Sequence, residues 1–206
     1  MTRSLITLAL LAATAWAAPA AAGDPDYETC VGDDPAASIA ACTRVIDSGG
    51  EHGEFLSVMH GSRGLSYFRL KDYPHAIRDF DAAIATAGKA DYRRDTLRAR
   101  GMAHYFNGDY ARAVADYTAA MPPPDAVTLG NRGLARLKLH DFAAALRDYD
   151  AALALKPDVA QALFGRGLAE YALGNKIAAA RDFAAARAIF PGVDDIFKGE
   201  GFVPAP

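Results

Sequence analysis

Apolar and small residues recur at three- and four-residue spacing along most of the chain, which is the pattern of amphipathic α-helices. Several of these stretches follow a residue whose side chain can accept hydrogen bonds from the first helical turn. These N-cap candidates are Asp34, Asp72, Asp109, Asp141 and Asn175. Proline stands early in two of the stretches, at Pro35 and Pro74, where a helix tolerates it. The pattern predicts an all-α chain of helices joined by short turns.

One block of this pattern recurs four times. An Arg-Gly-apolar triplet begins at residues 63, 100, 132 and 166, so successive copies are 37, 32 and 34 residues apart. A second motif follows each triplet and consists of alanine, an apolar or small residue, aspartate and an aromatic residue. Its copies are Ala76, Ile77, Asp79, Phe80; Ala113, Val114, Asp116, Tyr117; Ala145, Leu146, Asp148, Tyr149; and Ala179, Ala180, Asp182, Phe183. A period in this range indicates stacked helix pairs that share one core.

The glycine, alanine and aromatic positions, with Pro157 and Pro191 closing the last two copies, resemble the tetratricopeptide repeat over about residues 54–191. The resemblance implies a right-handed superhelix of antiparallel helix hairpins, with about four units and a truncated leading unit. It also implies a non-catalytic scaffold that binds proteins. Lys176 departs from the repeat, which usually has an aromatic residue at that position.

The first 22 residues have the pattern of a cleaved signal peptide. Arg3 precedes an apolar run, and Ala20 and Ala22 form an A-x-A cleavage site before Gly23. The alternative is a membrane anchor, but that run has roughly 14 residues where about 20 are needed to span a bilayer. We therefore expect an exported mature chain, periplasmic or secreted, with no membrane span after cleavage.

The two cysteines, Cys30 and Cys42, both lie in the expected mature chain, and an oxidising compartment favours a disulfide between them. The bridge would pin residues 23–53 as an N-terminal cap and partial repeat over the exposed end of the array. The alternative is a free Cys30 beside a buried Cys42. At the other end, residues 192–206 are expected to form a C-terminal cap and a loose tail.

Each triplet arginine is followed sixteen residues later by the aspartate of the second motif. Because both charges recur together, we predict structural ion pairs that fix helix register. A binding site for anions is the alternative reading. The predicted pairs are Arg63 with Asp79, Arg100 with Asp116, Arg132 with Asp148, and Arg166 with Asp182.

The resemblance also implies which first-helix positions line a concave face. They are Leu65, Phe68, Arg69, Met102, Tyr105, Phe106, Leu134, Leu137, Lys138, Leu168 and Tyr171. Family members that clamp a carboxylate have lysine and asparagine at these positions, and this set is mostly apolar. It predicts a groove for an apolar or amphipathic segment of a protein or peptide partner. Two alternatives stay open: a terminal tail or tight winding covers the stripe, or the chain assembles with copies of itself.

Charge and chemistry narrow the possible functions further. The formal net charge is -3, which argues against a nucleic-acid partner. None of the five histidines has a second histidine at ligand spacing, so we expect neither a metal nor a cofactor. Ser62, within His60–Gly64, lacks the strand-to-helix context of a nucleophile turn, which leaves a hydrolase or metalloenzyme as a remote alternative.

Overall fold

The computed structural model describes residues 25–49 and 53–202, and all regular structure within these ranges is helical. The all-α fold predicted from the periodicity is confirmed. The predicted signal peptide and the end of the predicted tail lie outside the described residues. The helices are α1 (Pro25–Cys30), α2 (Pro35–Asp47), α3 (Glu54–Arg69), α4 (Tyr73–Thr86), α5 (Ala90–Phe106), α6 (Tyr110–Ala119), α7 (Ala126–Lys138), α8 (Phe142–Leu155), α9 (Ala160–Ala172), α10 (Lys176–Ile189) and α11 (Val193–Gly199).

The described chain divides into two compact units. The amino-terminal unit runs to Ala120 and contains α1–α6, and the carboxy-terminal unit starts at Met121 and contains α7–α11. Each unit contains two full helix pairs, α3 with α4 and α5 with α6 in the first, α7 with α8 and α9 with α10 in the second. Within each unit the second helix of the first pair also packs on the first helix of the next pair.

The glycine of each repeated triplet lies where the aromatic ring of the second helix packs against the first. A Cβ atom added at Gly64 would lie 2.9 Å from the Phe80 ring, and one at Gly167 would lie 2.7 Å from the Phe183 ring. Such distances are too short for a real side chain, so a first helix without glycine there could not approach its partner as closely. Gly101 with Tyr117 and Gly133 with Tyr149 repeat the arrangement.

Four of the five predicted N-caps make the expected hydrogen bonds. The side chain of Asp34 accepts from the amides of Ala36 and Ala37, and equivalent bonds are made by Asp72, Asp109 and Asp141. Asn175 occupies the N-cap position of α10 but makes no capping bond, because its amide donates to Glu170 at 2.5 Å. The N-cap position of Asn175 was therefore predicted correctly, but its side chain does not cap the helix.

The first helix of every full pair ends in a left-handed residue followed by the cap of the second helix. This position is held by Gly108 and Gly174 in two pairs, but by Lys71 and His140 in the other two. The amides after it reach back to the helix, as in the bond from Asp72 N to Tyr67 O at 2.9 Å. These bonds satisfy carbonyls that the helix end leaves unpaired.

At the start of the amino-terminal unit, α1 packs on α2 in place of a full first helix. The Cys30 and Cys42 sulfurs lie 2.04 Å apart, at bonding distance, and both residues are fully buried. The Ser38 hydroxyl donates to the Cys30 carbonyl at 2.6 Å, and Arg44 pairs with Asp26. At the other end of the chain, Val193 and Phe197 of α11 are buried against the carboxy-terminal unit's core.

Candidate functional site

The recurring arginines and aspartates meet in all four repeats. Each guanidinium donates from Nε and Nη2 to the two carboxylate oxygens of its aspartate, with N–O distances between 2.6 and 2.9 Å. Two parallel bonds of this kind fix orientation as well as distance. The pairs are Arg63 with Asp79, Arg100 with Asp116, Arg132 with Asp148, and Arg166 with Asp182.

Three of these arginines also reach back to the preceding helix pair with Nη1. Arg63 donates to the Thr43 hydroxyl at 3.0 Å, and Arg100 donates to Asp81 at 2.5 Å. Arg166 reaches Asp150 at 3.1 Å in the same way. The sixteen-residue spacing predicted the bond inside each pair, but it gave no sign of this second bond between neighbouring pairs. Because these donors already bind protein oxygens, the geometry favours a structural role over anion binding.

Two histidines, His60 and His104, lie close to the aspartates of these ion pairs. His60 Nδ1 lies 3.1 Å from Asp79 Oδ1. Burial raises the pKa of Asp79, but hydrogen bonds from His60 and Arg63 outweigh it, and the net result is a pKa below the ordinary value. His60 therefore lies beside a structural ion pair, and Ser62 lies within α3. Among the described residues, no group of three or more His, Cys, Asp or Glu side chains is placed to hold a metal ion.

His104 is buried, and its Nδ1 atom has no hydrogen-bond partner within the described residues. Burial lowers the pKa of His104 because it disfavours the imidazolium. The carboxylates of Asp116 and Asp109 oppose this shift, whereas the nearby charges of Arg100 and Arg112 reinforce it. The folded chain therefore holds His104 as neutral imidazole at neutral pH.

We expect His104 to make the fold less stable in acid. The folded state has the lower pKa, so the unfolded state takes up the proton first, and stability falls as the pH drops below about 6.5. Urea unfolding of the wild type and of His104→Leu, from about pH 7.5 to about pH 5, tests this. The wild type should lose more unfolding free energy than the variant over this interval. Parallel pH profiles for the two proteins would show that His104 does not contribute.

In the amino-terminal unit, the predicted concave positions form part of an aromatic cluster. The Phe68 and Phe106 rings lie 5.7 Å apart, and each contacts Tyr73, which stacks on Phe106 at 5.8 Å. Tyr105 joins Phe106 to Tyr110. Phe68, Tyr73, Phe106 and Tyr110 are half-buried, and we call these four residues the aromatic surface. Sequence reasoning missed Tyr73 and Tyr110, although each follows the N-cap aspartate of its repeat.

The remaining predicted positions of this unit surround the aromatic surface. Leu65 and Met102 are half-buried, and Leu65 packs on the core of the first pair. Arg69 is exposed and donates to the Asp33 carbonyl at 3.3 Å. Tyr105, however, is only 6% exposed, so it offers little area to a partner.

In the carboxy-terminal unit, the predicted concave-face residues differ widely in their exposure. Leu137 is 1% exposed and belongs to the core, which corrects its assignment as a partner-binding residue. Leu134 and Leu168 are half-buried and pack against the same core. Tyr171 is exposed. Lys138 Nζ lies 4.6 Å from the centre of the Phe202 ring, and burial lowers the pKa of Lys138.

Residues 131–194, which include most of α7 and all of α8–α10, match the family model described as the tetratricopeptide repeat. This part of the chain is therefore similar to the tetratricopeptide repeat family. Sperm-associated antigen 1 of Mus musculus is 33% identical over 87 residues, which are 40% of this chain and 10% of that protein. The Rattus norvegicus protein of the same name is 33% identical over 82 residues, which are 37% of this chain. The chain therefore spans about a tenth of the length of these curated relatives.

Solved structures agree with this tetratricopeptide repeat fold. A tetratricopeptide repeat protein from Parabacteroides merdae ATCC 43184 superposes with a TM-score of 0.69 at 18% identity, over 85% of this chain and 71% of that one. MamA from Desulfovibrio magneticus RS-1 gives a TM-score of 0.68 at 16% identity, over 78% and 88% of the two chains. At these identities the likeness concerns the fold alone.

The tetratricopeptide repeat fold is one that supports protein–protein interaction. Among the helices that the structure describes, none combines the length and the apolar character that a membrane span requires.

Proposed function

We propose that this chain is a non-catalytic scaffold of the cell envelope, which binds an apolar or amphipathic segment of a protein partner. The observation that carries the proposal is the aromatic surface of the amino-terminal unit. The rings of Phe68, Tyr73 and Phe106 contact one another, and Tyr110 is linked to them through Tyr105. All four stay half-exposed, whereas the aromatic residues of the repeated second motif are buried. Half-exposed aromatic rings are typical of surfaces that bind proteins, because each gives a large contact area at a small entropic cost.

The proposed ligand chemistry follows from the composition of the surface. Phe68 and Phe106 meet edge to face at 5.7 Å, and the half-buried Tyr73 and Tyr110 each carry a hydroxyl group. The exposed Arg69 stands beside Phe68 in the sequence. Such a surface suits an amphipathic helix that places apolar side chains on the rings and an acidic group near Arg69.

The envelope location is part of the proposal and rests on two features. One is the signal-peptide pattern of residues 1–22, and the other is the presence of two cysteines, Cys30 and Cys42, which are both buried. Disulfides persist in exported proteins and are rare in the cytosol. We therefore expect the protein in the periplasm or outside the cell.

Crosslinking capture tests the scaffold function, with the chain from Gly23 as bait and an envelope extract of the source organism. We expect wild type to capture a partner that a Phe68→Glu, Phe106→Glu variant loses, because two carboxylates would be desolvated in the contact. The matched control is Val127→Glu, Leu155→Glu, which adds the same charge at exposed apolar residues elsewhere. Circular dichroism must first show that both variants fold. Equal capture by all three proteins would reject the aromatic surface as the binding site.

Self-assembly is the second candidate, and exposed apolar residues of the carboxy-terminal unit favour it. Ile177 is 75% exposed, and Leu173 and Tyr171 in the same turn region are also exposed. Light scattering over a concentration series separates the two functions. A mass that rises with concentration in wild type, and stays that of a monomer in Ile177→Lys, would support self-assembly.

A further inference from the structure

The segment after α11 is held in a defined conformation. Gly201 has a φ of +81°, its amide donates to the Lys198 carbonyl at 2.9 Å, and the Phe202 amide donates to the Phe197 carbonyl at 2.9 Å. These two bonds are the helix-ending arrangement in which a left-handed glycine turns the chain back over its own last turn. The Phe202 ring is consequently directed back towards Phe197, with 6.1 Å between the ring centres.

Two contacts tie this segment to α7. The Lys138 ammonium donates a hydrogen bond to the Glu200 carbonyl, and it also lies 4.6 Å from the centre of the Phe202 ring. Lys138 is one of the first-helix positions that the repeat pattern assigns to the concave face. Below the segment, Phe197 stacks on Phe164 of α9 at 4.6 Å.

A helix that only sealed the end of the array would not need these contacts. Sealing is done by Val193 and Phe197, which are buried against the core, while α11 itself packs on α9 and α10. Glu200 and Phe202 extend past this cap to α7, a helix pair earlier. A lysine that binds a peptide makes the same two contacts, because its ammonium donates to a peptide carbonyl and lies over an aromatic ring.

We propose that Glu200–Phe202 is a self-ligand that occupies the first-helix surface of the carboxy-terminal unit. A partner that binds this surface must displace Phe202 and present an aromatic side chain and a backbone carbonyl to Lys138. This inference rests on the proposed function, since it assumes that first-helix surfaces of this chain bind peptides. The apparent affinity for such a partner equals the intrinsic affinity multiplied by the fraction of molecules in which Phe202 has left this surface.

A peptide added in trans tests the self-ligand without any outside partner. The probe is a fluorescent synthetic peptide with the sequence of residues 195–206, and anisotropy measures its binding to the full chain. We expect Phe202→Ala to bind the probe roughly tenfold more tightly than wild type, because the substitution empties the surface. A probe in which alanine replaces the phenylalanine equivalent to Phe202 should not bind.

The site is assigned by a second substitution in the Phe202→Ala background. Adding Lys138→Met should abolish probe binding, whereas adding Lys156→Met, at an exposed lysine of the same unit, should leave it unchanged. If Phe202→Ala alters the melting temperature, Gly201→Ala serves as a second release variant. It keeps the ring but disfavours the positive φ that positions it.

Each outcome decides for or against the self-ligand. Tighter binding by a release variant, together with its loss in Lys138→Met, supports the inference. Equal binding by wild type and both release variants, or binding by none of them, overturns it. Capture through the aromatic surface concerns the other unit, so a failure there and a failure here are distinguishable.

Discussion

Replacing Asp148 with alanine is expected to lower the free energy of unfolding by about 3–5 kcal/mol. The Asp148 side chain is 4% exposed and accepts bonds from Arg132 and Arg136, each at 2.6 Å. Without the carboxylate, two guanidinium groups with little access to water would lose the negative charge that they share. The loss of unfolding free energy therefore comes mainly from poorly hydrated positive charge without its carboxylate, with a smaller contribution from lost packing.

Urea unfolding measures the loss, and the chain offers a matched control two residues along the same helix. Asp150 pairs with Arg166 at 3.1 Å, but its side chain is 56% exposed. An exposed pair contributes little, so Asp150→Ala should cost about 0–1 kcal/mol. Similar losses for the two variants would contradict the argument, because burial of the carboxylate is what distinguishes them.

Removing both cysteines, as Cys30→Ala with Cys42→Ala, is expected to cost about 3 kcal/mol of unfolding free energy. A bridge between them closes a loop of twelve residue steps and so restricts the unfolded chain. The measurement is chemical unfolding of the oxidised wild type against the variant. Mass spectrometry after alkylation in denaturant without reductant should first show two unmodified cysteines in the wild type.

Reduced wild type is the natural control for the cysteine variant. It keeps both sulfur atoms and loses only the crosslink, so its stability should fall close to that of the variant. If the denatured wild type takes up two alkyl groups without reductant, the alternative of a free Cys30 beside a buried Cys42 is correct. The cap would then depend on contacts such as the Arg44–Asp26 pair.

Most of the helical fold was predictable because its determinants are local and repeated. The spacing of apolar residues gave the helices, and the aspartates before them gave the caps. The arginine and aspartate of one repeat are sixteen residues apart on two helices of one hairpin, so their charge and recurrence were enough to predict the pair. The close contacts of Gly64 and Gly167 follow from the same repeat.

The candidate site was less predictable, because periodicity shows which side of a helix is apolar but not how much of it is covered. Packing between neighbouring helices buries Tyr105 and Leu137, although their spacing resembles that of half-exposed Phe68. The contact of Lys138 with Glu200 joins residues 62 positions apart, and no local pattern indicates it. Lys71 and His140 hold a left-handed conformation that glycine usually signals.

The bonds from the triplet arginines to the preceding helix pair affect how repeats can be added to such a chain by gene duplication. Arg100 binds Asp116 of its own helix pair and Asp81 of the pair before it, and Arg166 does the same with Asp182 and Asp150. The α3–α4 hairpin has both kinds of group, because Arg63 donates to Thr43 of α2 and Asp81 accepts from Arg100 of the next pair. A gene segment that encodes this hairpin, duplicated in tandem, would supply the donor and the acceptor at each new junction between repeats. New copies could therefore be inserted without compensating changes in their neighbours.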